Sequence, residues 1–151
     1  MTIPQFGQPE PGHDYPDRPA GFVVIARQGL IALVRVEEEG AQPYFDLPGG
    51  GLDPGETARE AAIRECGEEA GLRVELEPEP FVLADHYAFP NRGGRRNTRG
   101  AFFTGRVVGE DPSLKIEADH TLDWREPLEA IAILDRDAHA WAVAASLRLK
   151  R

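Results

Sequence analysis

Residues 49–72 read GGGLDPGETAREAAIRECGEEAGL. The first part is crowded with glycine and proline and reads as a loop with special backbone geometry. From Thr57 to Ala70 such breakers almost vanish. Thr57 and Glu60 have the spacing of a capping box and Gly71 stands where a helix closes, so a helix of about four turns is expected over 57–70. Gly67 within it costs about 1 kcal/mol relative to alanine. Residues three and four apart share a helix face, which places the carboxylates of Glu65, Glu68 and Glu69 on one side. Ala58, Ala61, Ala62 and Cys66 form an apolar stripe on another side that can seat against a sheet. Three like charges at that spacing repel. A hard divalent cation, Mg²⁺ or Mn²⁺, relieves the repulsion, since such ions take carboxylate oxygens and are completed by water and phosphate. The helix also reads as a solvated acidic one with an Arg64–Glu68 ion pair. Gly49, Gly50 and Gly51 tilt the choice, because glycines let backbone atoms approach a metal or phosphate with no side chain between.

Upstream, AGFVVIAR (20–27) and LIALVRV (30–36) are Val/Ile-rich runs joined by Gln28 and Gly29, the pattern of two paired strands. Val23, Val24 and Ile25 are apolar in succession, which implies burial on both faces of the sheet. Residues 1–19 hold five prolines and read as an extended arm. Downstream, residues 81–89 and 100–109 look like strands around the loop PNRGGRRNTR. Residues 126–134 and 137–149 have the spacing of helices, with Asp137 placed as an N-cap. Residues 20–151 are expected to form a single domain in which strands and helices alternate, of the α/β or α+β class.

The chain has 151 residues, 41% of them hydrophobic, a net charge of −9 and one cysteine. This length buries enough surface for a core without disulfide or structural metal. Cys66 lies on the packing stripe, a poor place for a catalytic thiol. No apolar run approaches the length of a membrane span and the N-terminus lacks the pattern of a signal peptide, so a soluble cytoplasmic protein is expected. The acidic balance argues against a general nucleic-acid binder, which needs a basic footprint. Fifteen of the 17 basic residues are arginine, four of them grouped at Arg92, Arg95, Arg96 and Arg99. Guanidinium forks match phosphate oxygens in pairs.

The spacing from Gly50 to Leu72 resembles the Nudix box: Gly, five residues, Glu56, seven residues, Arg64-Glu65, an aliphatic slot, one residue, Glu68-Glu69, one residue, Gly71, aliphatic. Only the aliphatic slot departs, holding Cys66, and the lead-in FDLPGG (45–50) is similar too. The resemblance implies an α/β/α sandwich with a mixed central β-sheet. It also implies hydrolysis of a nucleoside diphosphate linked to another group, with Mg²⁺ as cofactor and Mn²⁺ as a substitute. Glu65 would then be the general base or water orienter, and Glu68 and Glu69 metal ligands alongside Glu65. The Gly50 carbonyl would complete the sphere, Arg64 would fix the carboxylates and Glu56 would brace the loop. Many members take a further acid from a later loop. Glu117, Asp119 and Asp123 are candidates, and Asp119 is favoured because Asp119-His120 before Trp124 resembles the family's frequent Glu-His before its tryptophan strand. His120 offers an alternative base.

Substrate choice is less legible. The loop 90–99 could hold a terminal phosphate through Arg95 and Arg96, or be a basic hairpin tip. Arg35 occupies a place where relatives often contact substrate phosphates. Tyr87 and Phe89 could stack on a base or belong to the core. No coenzyme A signature precedes the box, and no proline stands at the spacing that marks many ADP-ribose hydrolases. The expected substrate is a small nucleotide-type molecule, with no nucleic-acid or membrane partner, bound by a monomer or homodimer. Alternatives are a dinucleoside polyphosphate or diphosphoinositol polyphosphate hydrolase, or a catalytically silent nucleotide-binding regulator.

Overall fold

Gln28 and Gly29 both adopt positive φ, 54° and 80°. This is the backbone of a two-residue hairpin turn whose twist matches that of its strands. It joins β2 (Asp17–Arg27) to β3 (Leu30–Val36), with Ala26 opposite Ile31. The computed structural model describes residues 2–88 and 94–149. Phe89 and Arg92 lie outside them. The remaining elements are β1 (Gln5–Phe6), β4 (Tyr44–Asp46), β5 (Gly49–Gly51), α1 (Ala58–Ala70), β6 (Leu72–Leu76), β7 (Val82–Tyr87), β8 (Asn97–Glu110), β9 (His120–Arg125), α2 (Pro127–Ile133) and α3 (Asp137–Ser146).

The strands form one mixed sheet in the order β1-β7-β8-β2-β3-β4, with β5 attached to β2, β6 to β8 and β9 to β3. The β1–β7 and β2–β8 pairs are parallel and the others antiparallel. Strand β2 is central: Val23 and Ile25 pack under α1 with Ala62, Cys66 and Leu72. Phe22 and Val24 face the other way, onto Leu47, Ala138, Ala142 and Val143 beneath α2 and α3. The run of buried residues thus divides alternately between two cores, as the period of two in a strand requires. The result is a sheet with a helix layer on each face, an α/β/α sandwich. Helix α1 carries the expected capping box, with the Thr57 hydroxyl accepting from the Glu60 N–H, and Gly71 ends it in the left-handed region.

Several local expectations need correction. Strand β2 starts at Asp17, three residues into the proline-rich segment, because residues 17–19 pair with Asn97, Thr98 and Arg99 of β8. Pro19 lacks an N–H, yet its carbonyl accepts from Leu52. The glycine loop begins with a short strand, β5, held by β2, and the residues that lead into it form another, β4, held by β3. The N-cap of α3 is Arg136, in extended backbone, with Asp137 in the first turn. The end of the expected helix, residues 147–149, is a 3₁₀ turn. Strand β6 shows the period-two burial of Leu72, Val74 and Leu76. Near the start of the chain, Gln5 and Phe6 pair with Asp85 and His86 at the β7 edge. Among the described residues no helix is long and apolar enough to cross a membrane.

Candidate active site

Strand β5 runs antiparallel to β2 with Gly50 opposite Gly21, and the Val23 N–H donates to the Pro48 carbonyl. This pins the glycine loop against the centre of the sheet, directly beside α1. A Cβ at residue 50 would collide with Glu65 Oε2, so the main chain here lies close against the carboxylate and any larger residue would push it aside.

Arg64 is the hub of loop and helix. Its Nε and Nη2 donate to the two Glu56 oxygens at 2.7 and 3.0 Å, Nη2 also reaches the Gly51 carbonyl at 3.1 Å, and Nη1 donates to Glu68 Oε1 at 3.1 Å. Asp53 lies 3.3 Å from Nε. The hydrogen bonds to Glu56 hold the guanidinium well above its ordinary pKa, and Arg64 together with the Asp53 N–H holds Glu56 below the usual carboxylate value. A bidentate fork of this kind fixes geometry as well as charge.

Glu65, Glu68 and Glu117 each offer an oxygen, and these atoms all lie within 4.8 Å of one another. Glu117 arrives because its N–H and that of Ile116 both donate to the Glu68 carbonyl, each at 3.0 Å. Burial pushes the Glu65 carboxyl up to about 7; Glu68 and Glu117 add to the rise, and Arg64 and Arg18 oppose it. Glu69 is only 6% exposed and is raised well above its ordinary value, first by burial and then by Glu65. One of its oxygens accepts from the Gly49 N–H at 3.1 Å and the other lies 3.3 Å from His120 Nε2. The expected trio therefore divides: Glu65 and Glu68 converge with Glu117, while Glu69 turns to the loop backbone and His120. Asp119 is exposed, lies 2.8 Å from His120 Nδ1, and groups with Glu117 and His120 rather than with Glu65 and Glu68. Acceptor-only oxygens crowded this closely around a carboxyl reluctant to ionise suit a hard divalent cation, whose charge removes both penalties.

Beyond Glu65 and Gly50 opens a cavity of about 250 Å³, whose acidic lining also includes Glu38, Asp46, Glu69 and Glu117. Arg18, Arg96 and Arg136 face into it, with Phe22 and Tyr44 among the other walls. Burial first, then Arg96 and Arg136, hold the Arg18 pKa below its ordinary value, and burial and Arg136 do the same to Arg96. Arg18, Glu65 and Glu117 also line a second cavity, about 510 Å³, which extends along Arg64 and Glu68. An anionic ligand spanning the two would meet guanidinium groups and carboxylates in succession.

The other candidate binding residues lie elsewhere. Arg95 pairs with Glu10 at 2.9 Å, and Arg99 pairs with Asp17 and Asp85, so the arginine group is dispersed. Arg35 pairs with Glu37 at 2.7 Å and is not among the residues that line these cavities. The Tyr87 ring packs edge-on against Tyr15 at 5.2 Å and is not among the residues that line these cavities.

The NUDIX domain model matches residues 16–147, almost the whole chain. The chain belongs to the NUDIX family. An RNA pyrophosphohydrolase of Sphingopyxis alaskensis is 34% identical over 118 residues, covering 72% of this chain and 75% of that protein. An RNA pyrophosphohydrolase of Cereibacter sphaeroides is 37% identical over 116 residues, covering 70% of each. Among solved structures, a NUDIX hydrolase from Nitrosomonas europaea aligns with a TM-score of 0.71 at 24% identity, covering 89% of this chain and 91% of that one. The MutT protein from Methanosarcina mazei aligns with the same TM-score at 19% identity, covering 93% and 100%. These two show the fold. Family and relatives together make this NUDIX chain a pyrophosphohydrolase enzyme of a family that generally uses a divalent metal. Arg18 and Arg136 line the cavity of this NUDIX fold without a signal in the sequence, since one sits in the proline-rich segment and the other before an apparent N-cap. Glu117, two residues before Asp119, groups both with Glu65 and Glu68 and with Asp119 and His120, a difference within one loop that carries no periodic signal.

Proposed function

We propose that this pyrophosphohydrolase cleaves a phosphoanhydride bond in a nucleoside polyphosphate, with Mg²⁺ as its ion and Mn²⁺ as a substitute. The observation that carries the reading is the facing of Arg18, Arg96 and Arg136 toward Glu65 and Gly50 across one cavity. Three guanidinium groups match the charge of a polyphosphate better than that of a diphosphate capped by a neutral sugar. The ion would be held by Glu65, Glu68, Glu117 and the Gly50 carbonyl, with Glu69 and Asp119 as further oxygen donors, and would neutralise phosphate oxygens while acidifying a water molecule. Glu65 would orient that water and accept its proton. Arg64 keeps Glu68 and the Gly51 carbonyl in place through its fork with Glu56. The Gly49 N–H and His120 hold Glu69. Arg18, Arg96 and Arg136 bind the phosphate chain.

A second reading comes from the relatives. Those at 34–37% identity are named RNA pyrophosphohydrolases, so a triphosphate at the 5′ end of an RNA is a candidate substrate. The net charge of −9 disfavours a long RNA footprint but leaves room for a terminal phosphate group. The test is a panel assayed with Mg²⁺ or Mn²⁺ for released phosphate and pyrophosphate. It contains nucleoside triphosphates, dinucleoside polyphosphates, nucleotide sugars, inositol pyrophosphates and a short 5′-triphosphorylated oligoribonucleotide. Preference for the free triphosphates supports the first reading, and preference for the oligoribonucleotide the second. Turnover confined to nucleotide sugars overturns both.

A further inference from the structure

The strand that leads into the glycine loop is gripped at three successive residues by the start of α3. The Asp135 N–H donates to the Phe45 carbonyl at 3.0 Å, Arg136 Nε donates to Asp46 Oδ1 at 3.3 Å, and the Leu47 N–H donates to His139 Nδ1 at 3.1 Å. His139 is 2% exposed, with its ring 4.4 Å from Phe22 and 5.6 Å from Phe102 by centroid. Only Pro48 separates Leu47 from Gly49, and proline fixes its own φ. Gly49 then donates to Glu69, and Gly50 abuts Glu65. The stretch from Leu47 to the two glycines is thus held from two sides, by β2 through the Val23 N–H on the Pro48 carbonyl and the β5 pairing, and by His139 at Leu47.

We propose that His139 is a positioning residue for the pyrophosphohydrolase site: by accepting the Leu47 N–H it works with the β2 pairing to set the main chain of Gly49 and Gly50, and through them the placement of Glu69 and of the Gly50 carbonyl. The inference rests on the reading that Glu65, Glu68 and Gly50 hold the divalent ion. Nδ1 accepts only if its lone pair is free, which puts the ring proton on Nε2 and keeps the imidazole neutral. Burial and the Arg136 cation favour that neutral state, holding the His139 pKa well below its ordinary value.

The test uses the full chain and Mn²⁺ alone as probe, with binding followed by the electron paramagnetic resonance signal of free Mn²⁺, and with kcat and KM measured separately. His139→Leu keeps apolar bulk but removes the acceptor, and His139→Gln restores an acceptor. Val143→Ala, buried in the same core one turn further along the helix but without a side-chain hydrogen-bonding group, serves as a reference for simple destabilisation. His139→Leu is expected to weaken Mn²⁺ binding and lower kcat about tenfold or more, within the range seen when groups behind metal ligands are removed, with KM little changed. His139→Gln should recover most of both, and Val143→Ala should melt lower while binding Mn²⁺ as wild type. His139→Leu with wild-type Mn²⁺ affinity, or His139→Gln no better than His139→Leu, overturns the proposal. In wild type, nuclear magnetic resonance should detect coupling between the Leu47 amide nitrogen and His139 Nδ1 across the hydrogen bond, and its absence overturns the proposal even if a variant fails to fold. Wild type that fails to bind Mn²⁺ overturns the carboxylate-site reading and this inference with it, whereas wild-type binding beside an unaffected His139→Leu overturns this inference alone.

Discussion

Glu65 meets two opposed demands, because its charge serves the reaction while its burial resists that charge. Replacement by glutamine keeps size and hydrogen-bonding reach, so kcat should fall by at least about two orders of magnitude, the usual cost of losing a general base. Stability should move the other way. The folded pKa of Glu65 is raised to about 7, so the stability this group contributes is present when it is protonated and lost as pH rises through that value. With a chelator present, Glu65→Gln should therefore melt above wild type near about pH 8 and converge with it toward about pH 4, below the unfolded value. Thermal melts at both pH values check this, and an equal melting temperature at the higher pH would show that burial of the charge costs nothing. The arginines make a second prediction at this scale. Arg96→Ala and Arg136→Ala should raise KM for the polyphosphate substrate by about tenfold each, because a charge-assisted hydrogen bond contributes about 1.5–3 kcal/mol. Arg95→Ala should leave KM unchanged, since Arg95 pairs with Glu10 and, unlike Arg96 and Arg136, does not line the cavity. A rise in KM for Arg95→Ala alone would return the phosphate site to the loop.

Loop and helix α1 behave as one element because Arg64 ties them together. Its guanidinium joins Glu56, Gly51 and Asp53 on the loop to Glu68 on the helix, in one planar group. Arg64→Ala leaves those acceptors facing one another and should cost about 2–3 kcal/mol in urea unfolding, in the range of hydrogen bonds to charged groups. Arg64→Lys should recover little, because an ammonium cannot span two Glu56 oxygens and the Gly51 carbonyl at once. Full recovery by lysine would reduce the hub to simple charge compensation. The element was legible in advance: its capping box, glycine stop and i, i+4 carboxylates all depend on neighbours within a few residues. Its partition was not. Glu69 turns to Gly49 and His120 while Glu117 joins Glu65 and Glu68, and both choices depend on where the glycine loop and the residues before β9 come to rest.

The whole molecule stands on two apolar cores, one on each face of the sheet, and neither includes the acidic cluster. Chelation should therefore abolish turnover while leaving a cooperative melt, shifted only by the lost binding energy of the ion. Activity that survives exhaustive chelation would remove the metal from the mechanism, and loss of the cooperative melt would make the ion structural. The sequence by itself determined what short-range periodicity carries: the β2–β3 hairpin, the double-faced burial of β2 that calls for helices on both sides, and the spacing of the box from Gly50 to Leu72. It also bounded the chemistry, since clustered carboxylates beside glycines suit a cation and phosphate. Only the tertiary structure decided which arginines face the cavity, because Arg95, Arg96 and Arg99 differ by a few residues yet meet Glu10, the cavity and Asp85. It alone brought His139 to Leu47, 92 residues away. Such contacts follow from strand order and layer packing, which bring together residues whose separation in the chain leaves no periodic trace.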